Sequence, residues 1–153
     1  MKNTVEIFSD GACSGNPGNA AIGVILKHNG KILQEISKGI GCATNNIAEY
    51  TAVVYGLQEA LILRASEVIV NTDSALIFNQ CAGKFKVKDA GIKLLVDQIQ
   101  HLARGFKSVK FSLIPREQNK AADRLAKKAI KKEQTKVVAL QCFCGEESPS
   151  SKG

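Results

Sequence analysis

The chain has no tryptophan, two histidines, one methionine and three prolines among its 153 residues. None of its apolar runs approaches the ~20 residues that a membrane-crossing helix requires. The opening MKNTVEIF enters a strand-like alternation at once. That leaves no room for a secretory signal, and a cytoplasmic protein without a membrane partner is expected. The five cysteines (Cys13, Cys42, Cys81, Cys142 and Cys144) are odd in number and irregularly spaced. By count they form no disulfide framework, and an intracellular chain keeps them reduced. Cys142 and Cys144 make C-x-C rather than the spacing of a zinc knuckle, with no second ligand pair beside them. No internal repeat is present.

What remains is the composition of an ordinary soluble domain, 44% hydrophobic and 23% charged. The length suits one domain with a real core. Lysine and arginine outnumber the acids 21 to 14, giving a net charge of +7. A balance of this sign favours a polyanionic partner, because phosphates bound to clustered cations release their counterions.

The pattern along the chain is that of an α/β protein. TVEIFS (4–9) reads as a strand ended by Asp10-Gly11. Residues 20–28 and 31–38 are two more, joined at an Asn29-Gly30 hairpin. A loop over 39–44 leads into a long helix over 46–64. Val68-Ile69-Val70 is a short unbroken apolar run, the mark of a strand buried on both faces. Helices follow over 74–81 and 89–104, then an alternating strand over 107–113. Pro115 breaks the chain, and Asn119 is placed to cap a last helix through Lys132. The expected fold is therefore a five-stranded mixed sheet, three antiparallel strands and then parallel ones, flanked by helices. Residues 1–132 form the domain, with 133–153 as a partly flexible tail.

Four acids stand out. Asp10 and Asp73 each follow an apolar strand, which brings both to one edge of the sheet if those strands are parallel neighbours. Glu49 sits one turn before Ala52, Val53, Gly56 and Ala60, on the stripe that faces the sheet. Asp123 lies beside Ala122, Leu125 and Ala126 in the last helix. Each has an ordinary alternative: an Asx turn for Asp10, a helix cap for Asp73, solvated helix positions for the other two. Four acids that converge without adjacent cations repel one another unless metal neutralises them. Hard oxygen donors suit Mg²⁺ or Mn²⁺ and do not suit zinc.

The segments SDGACSGNPG, TNNIAEY, NTDS and IPREQNKAADRLA, in this order and at these distances, resemble the type 1 ribonuclease H family over about residues 5–130. The resemblance implies the ribonuclease H fold and cleavage of the RNA strand of RNA–DNA hybrids. The implied mechanism uses two metal ions and leaves 5′-phosphate and 3′-hydroxyl ends. It makes Asp10, Glu49, Asp73 and Asp123 the metal-binding and catalytic acids. It places Asn16, Gly11 and Cys13 along the RNA, and Thr44 and Asn45 at a helix start that contacts the DNA strand. Asn119 falls near the scissile site. A monomer is expected, with double-stranded RNA left open as a secondary substrate.

The chain also departs from the family. The loop LIPREQNKAAD lacks the histidine found there in many members, and Arg116 is the candidate for its place. Arg116 is always protonated, so it would hold phosphate or product rather than act as a base. The basic, tryptophan-bearing insertion of some relatives is reduced to AGKFKVK. There Lys84, Phe85, Lys86 and Lys88 make either a small DNA-strand handle or a solvated linker. Ala75 replaces a polar residue often seen beside the third acid. Two alternatives to the enzyme are a non-catalytic hybrid- or RNA-binding module and another nuclease of this superfamily.

Overall fold

The computed structural model describes residues 3–83 and 86–144, with side chains as far as Lys132. Three antiparallel strands come first: β1 (Thr4–Gly15), β2 (Gly18–His28) and β3 (Lys31–Ala43). Helix α1 (Asn45–Ile62) leads to β4 (Glu67–Thr72), and α2 (Ala75–Cys81) and α3 (Ala90–Ala103) lead to β5 (Ser108–Leu113). A 3₁₀ turn over Arg116–Asn119 then opens α4 (Lys120–Cys144). The strand order is β3-β2-β1-β4-β5, with β4 parallel to both β1 and β5. This is the mixed sheet the sequence pattern predicts. No helix of the described residues is long and apolar enough to cross a membrane.

The sheet has a different helix layer on each face. Helix α1 lies against β1 and β2, with α3 packed behind it. Its Ala52, Val53, Leu57 and Ala60 are fully buried with Ile7, Ile22, Val24 and Val70 of the strands. Gly56 lets the helix come this close, since a Cβ there would stand 2.7 Å from Cγ2 of Ile7. Helix α4 covers the other face of β1, β2 and β3 through Ala122, Ala126 and Ala129. Small residues at both contacts keep the helices near the strands, which decides where their acids reach.

Four expectations change. Strand β1 does not end at Asp10-Gly11 but runs on to Gly15, because each residue from Glu6 to Gly15 has an antiparallel partner on β2. The segment 39–44, read as a loop, is mostly the end of β3, which pairs with β2 as far as Ala43. The last helix continues past Lys132 to Cys144. Asn119 does not cap that helix: its side-chain oxygen accepts no hydrogen bond and its nitrogen donates elsewhere. Within the proposed handle, Lys84 and Phe85 lie outside the described residues, as do 145–153 of the tail.

Candidate active site

The parallel ladder between β1 and β4 ends at Phe8 and Asn71. Asp10 and Asp73 each stand two residues beyond that last pair, so the two carboxylates emerge level with each other where the strands separate. Asp10 is in an extended, paired strand and makes no Asx turn. Asp73 does not cap α2, a role filled by Ser74, whose hydroxyl accepts from Ile77 N at 3.2 Å.

Glu49 comes from the first turns of α1. That helix starts at Thr44, whose hydroxyl accepts from Ile47 N at 3.2 Å. Its approach to β1 depends on Gly11, where a Cβ would lie 2.5 Å from both Ala48 C and Glu49 N. The missing side chain of Gly11 therefore makes room for the helix that carries Glu49. Carboxylate oxygens of Asp10, Glu49 and Asp73 all lie within 4.8 Å of one another.

Asp123 stands close enough to Asp10 to raise its pKa, yet falls outside that tight triad. Its Oδ2 is 3.0 Å from Lys127 Nζ, one helical turn further along α4.

The electrostatics are those of a site short of cations. Asp10, only 9% exposed, is pushed up to about 8. Burial is the largest cause, followed by the hydrogen bond with Asp123 and then the charges of Asp73, Asp123 and Glu49. Glu49 is pushed up to about 7 by burial and by Asp73, with Arg116 pulling the other way. Carboxylates that hold protons near neutrality for these reasons gain most from a hard cation, which relieves both the desolvation and the repulsion. The donor set is all oxygen and clustered, as Mg²⁺ or Mn²⁺ requires. The residues fit the metal.

A second group surrounds the turn between β1 and β2. Asn16 Oδ1 accepts from Asn45 N at 3.0 Å, tying this turn to the start of α1. Cys13 Sγ lies 3.0 Å from the carbonyl of Ala43. Asn16, Thr44 and Asn45 line a cleft of about 480 Å³ together with Asn46 and Asp89. An adjoining cleft shares Asn46 and Asp89 and is lined by Lys86 and Lys88. The two lysines are exposed, and Asp89 is engaged in capping α3 through Ile92 N at 2.9 Å. The pairing of Asn16 with Asn45 gave no signal in the sequence, since nothing in a turn motif shows which amide it meets.

A mixed sheet of this order, with three acids gathered where its parallel strands part, defines the class of ribonuclease H-like α/β domains. Residues 8–129 match the reverse transcriptase-like family model. The chain is 34% identical to ribonuclease H1 of Halobacterium salinarum, covering 84% of this chain and 98% of that one, with a TM-score of 0.83. The figures for LC11 ribonuclease H1, solved in complex with an RNA/DNA hybrid, are 38% identity, 85% and 99% coverage, and a TM-score of 0.80. The chain therefore belongs to the type 1 ribonuclease H family. Against the bifunctional protein Rv2228c of Mycobacterium tuberculosis it is 40% identical over 128 residues, spanning 82% of this chain and 35% of that protein.

Proposed function

We propose that the chain is a metal-dependent endonuclease that hydrolyses the RNA strand of RNA–DNA hybrids. The observation that carries this reading is the meeting of Asp10, Glu49 and Asp73 within 4.8 Å, in a chain of this family. Asp10, Glu49, Asp73 and Asp123 would hold two Mg²⁺ or Mn²⁺ ions. Such a pair, when bound, activates the attacking water and stabilises the departing oxygen. Water oxygen bonds to phosphorus as the P–O3′ bond breaks, leaving a 3′-hydroxyl and a 5′-phosphate.

The rest of the site binds and orients. The β1–β2 turn, with Asn16 and the backbone near Cys13, would follow the RNA minor groove, where the 2′-hydroxyl marks RNA. Thr44 and Asn45 stand at the start of α1, whose positive dipole end suits a DNA-strand phosphate, with the Asn45 N–H itself held by Asn16 Oδ1. Lys86 and Lys88 extend that track with positive charge. Arg116, whose charge acts on Glu49 through space, would hold phosphate or product near the acids. A purely binding module on this fold has no use for buried, mutually repelling acids, whereas phosphate binding alone calls for cations there.

The test is a hybrid labelled differently on each strand. Internal cuts in the RNA strand only, with 5′-phosphate ends, support the reading. Cuts in the DNA strand, or trimming from one end, overturn it.

A further inference from the structure

We propose that Asn119 is a positioning residue: its side-chain amide fixes the Ser9–Asp10 backbone against the Asp73 carboxylate, so that the cation site is formed in advance. The inference rests on the metal-dependent reading above. It starts from a problem the fold creates for itself. Where β1 and β4 separate to open the site, carbonyls on that side of β1 lose the backbone N–H groups that a continuing ladder would supply. Ser9 lies just beyond the last pair, and there a buried asparagine takes over: Asn119 Nδ2 donates to the carbonyl of Ser9 at 2.9 Å, while Asn71 Nδ2 adds a bond to the carbonyl of Ile7, still inside the ladder, at 3.3 Å.

Asn119 does more than fill a ladder position. Its Nδ2 also lies 3.4 Å from Asp73 Oδ2, so one amide group spans the residue before Asp10 and the carboxylate of Asp73. Asn119 is 1% exposed and Ser9 is 3% exposed, so the bond to the Ser9 carbonyl does not compete with bulk water, while the contact with Asp73 is half-buried. The 3₁₀ turn at Arg116–Asn119 brings the residue in from beyond β5, and α4 begins directly after it. Asn119 thereby ties both strand ends to the helix that carries Asp123.

This differs from a substrate contact. The nitrogen is committed to the protein, and Oδ1, which has no partner among the described residues, is itself buried. A side chain placed in this way acts through the acids rather than on the hybrid. Held carboxylates bind a cation without first being ordered, and small misplacements at such sites are costly to turnover.

The test compares the wild type with Asn119→Ala and Asn119→Leu. Both remove the donor, and leucine restores the lost volume. Mn²⁺ affinity is measured by calorimetry without nucleic acid, folding by circular dichroism, and kcat and KM on a hybrid. The expected result is that both variants bind Mn²⁺ about tenfold or more weakly and lose about 10- to 100-fold in kcat, with KM changed less than about threefold. Unchanged Mn²⁺ affinity, rescue by leucine, or a loss confined to KM overturns the proposal. If neither variant folds, the wild type decides. The Asn119 side-chain amide protons should exchange slowly and shift as Mg²⁺ is added, and fast exchange or no shift counts against the role. A wild type that neither binds Mn²⁺ nor cuts hybrid overturns the nuclease reading itself, and this proposal with it. Wild-type binding and cutting with indifferent variants overturns Asn119 alone.

Discussion

Asp10 and Gly23 stand opposite each other on β1 and β2, and the space beside Gly23 is filled by the backbone of α4. A Cβ at Gly23 would lie 2.0 Å from the carbonyl oxygen of Ala122 and 2.6 Å from Ala126 N. The strand position that faces Asp10 is thus also the point on which the helix of Asp123 rests. Gly11 does the same for Glu49 on the other face. Two absent side chains set the distances among the acids.

Gly23→Ala should therefore cost both stability and activity. The neighbours are backbone atoms and cannot turn aside, so about 3 kcal/mol or more is expected from overpacking. Urea unfolding gives the first quantity and hybrid cleavage the second. A variant as stable and active as the wild type would show that α4 does not rest here.

Removing one acid should act differently from removing a cation. Asp10→Asn should abolish cleavage, while Arg116→Ala, at an exposed residue that modulates Glu49 and would hold phosphate or product, should lower kcat about tenfold or less. Single-turnover kinetics separate the two. Equal losses would contradict the division of roles.

The raised pKa values also set a pH dependence. Folded Asp10 keeps its proton to about 8 against an ordinary 3.8, and Glu49 to about 7 against 4.5. Between those limits the folded state binds more protons than the unfolded one. Stability without metal should therefore fall as pH rises from about 4 to about 8. Mg²⁺ needs the charged carboxylates, so it should raise Tm more at about pH 8 than at about pH 5 and release protons on binding. Thermal melts at both values, with Mg²⁺ and with EDTA, check this. An equal Mg²⁺ effect at both would count against the cluster.

Lys86 and Lys88 lie beside the cleft at the start of α1, clear of the acids. Replacing both with alanine should raise KM and flatten its salt dependence by up to about two phosphate contacts, with kcat nearly unchanged. A drop in kcat at constant KM would place them elsewhere in the mechanism.

Much of this was legible in the sequence, for physical reasons. Apolar alternation, the Asn29-Gly30 turn and the unbroken Val68–Val70 run carry strand identity locally, and the sheet order follows. The acids were visible because Glu49 interrupts a stripe of small buried residues and Asp73 follows a buried strand. What stayed hidden depends on partners distant in sequence. Asp10-Gly11 reads as a turn in isolation, and only pairing with Gly23 and Ile22 shows it to be strand. Asn119 looks like a helix cap until its amide is seen to meet Ser9, across a separation of 110 residues. Gly11 and Gly23 look like turn residues or weak strand positions until helix backbone is found beside them.

The measurement that bears most directly on the account is a Mg²⁺ titration of cleavage, using an RNA–DNA hybrid blocked at every end. Wild type and Asp10→Asn are run side by side, each with an EDTA control. Internal cleavage of the RNA strand that rises with Mg²⁺, stops with EDTA and is absent in Asp10→Asn is the predicted result. Cleavage that survives either EDTA or the loss of Asp10 would contradict it.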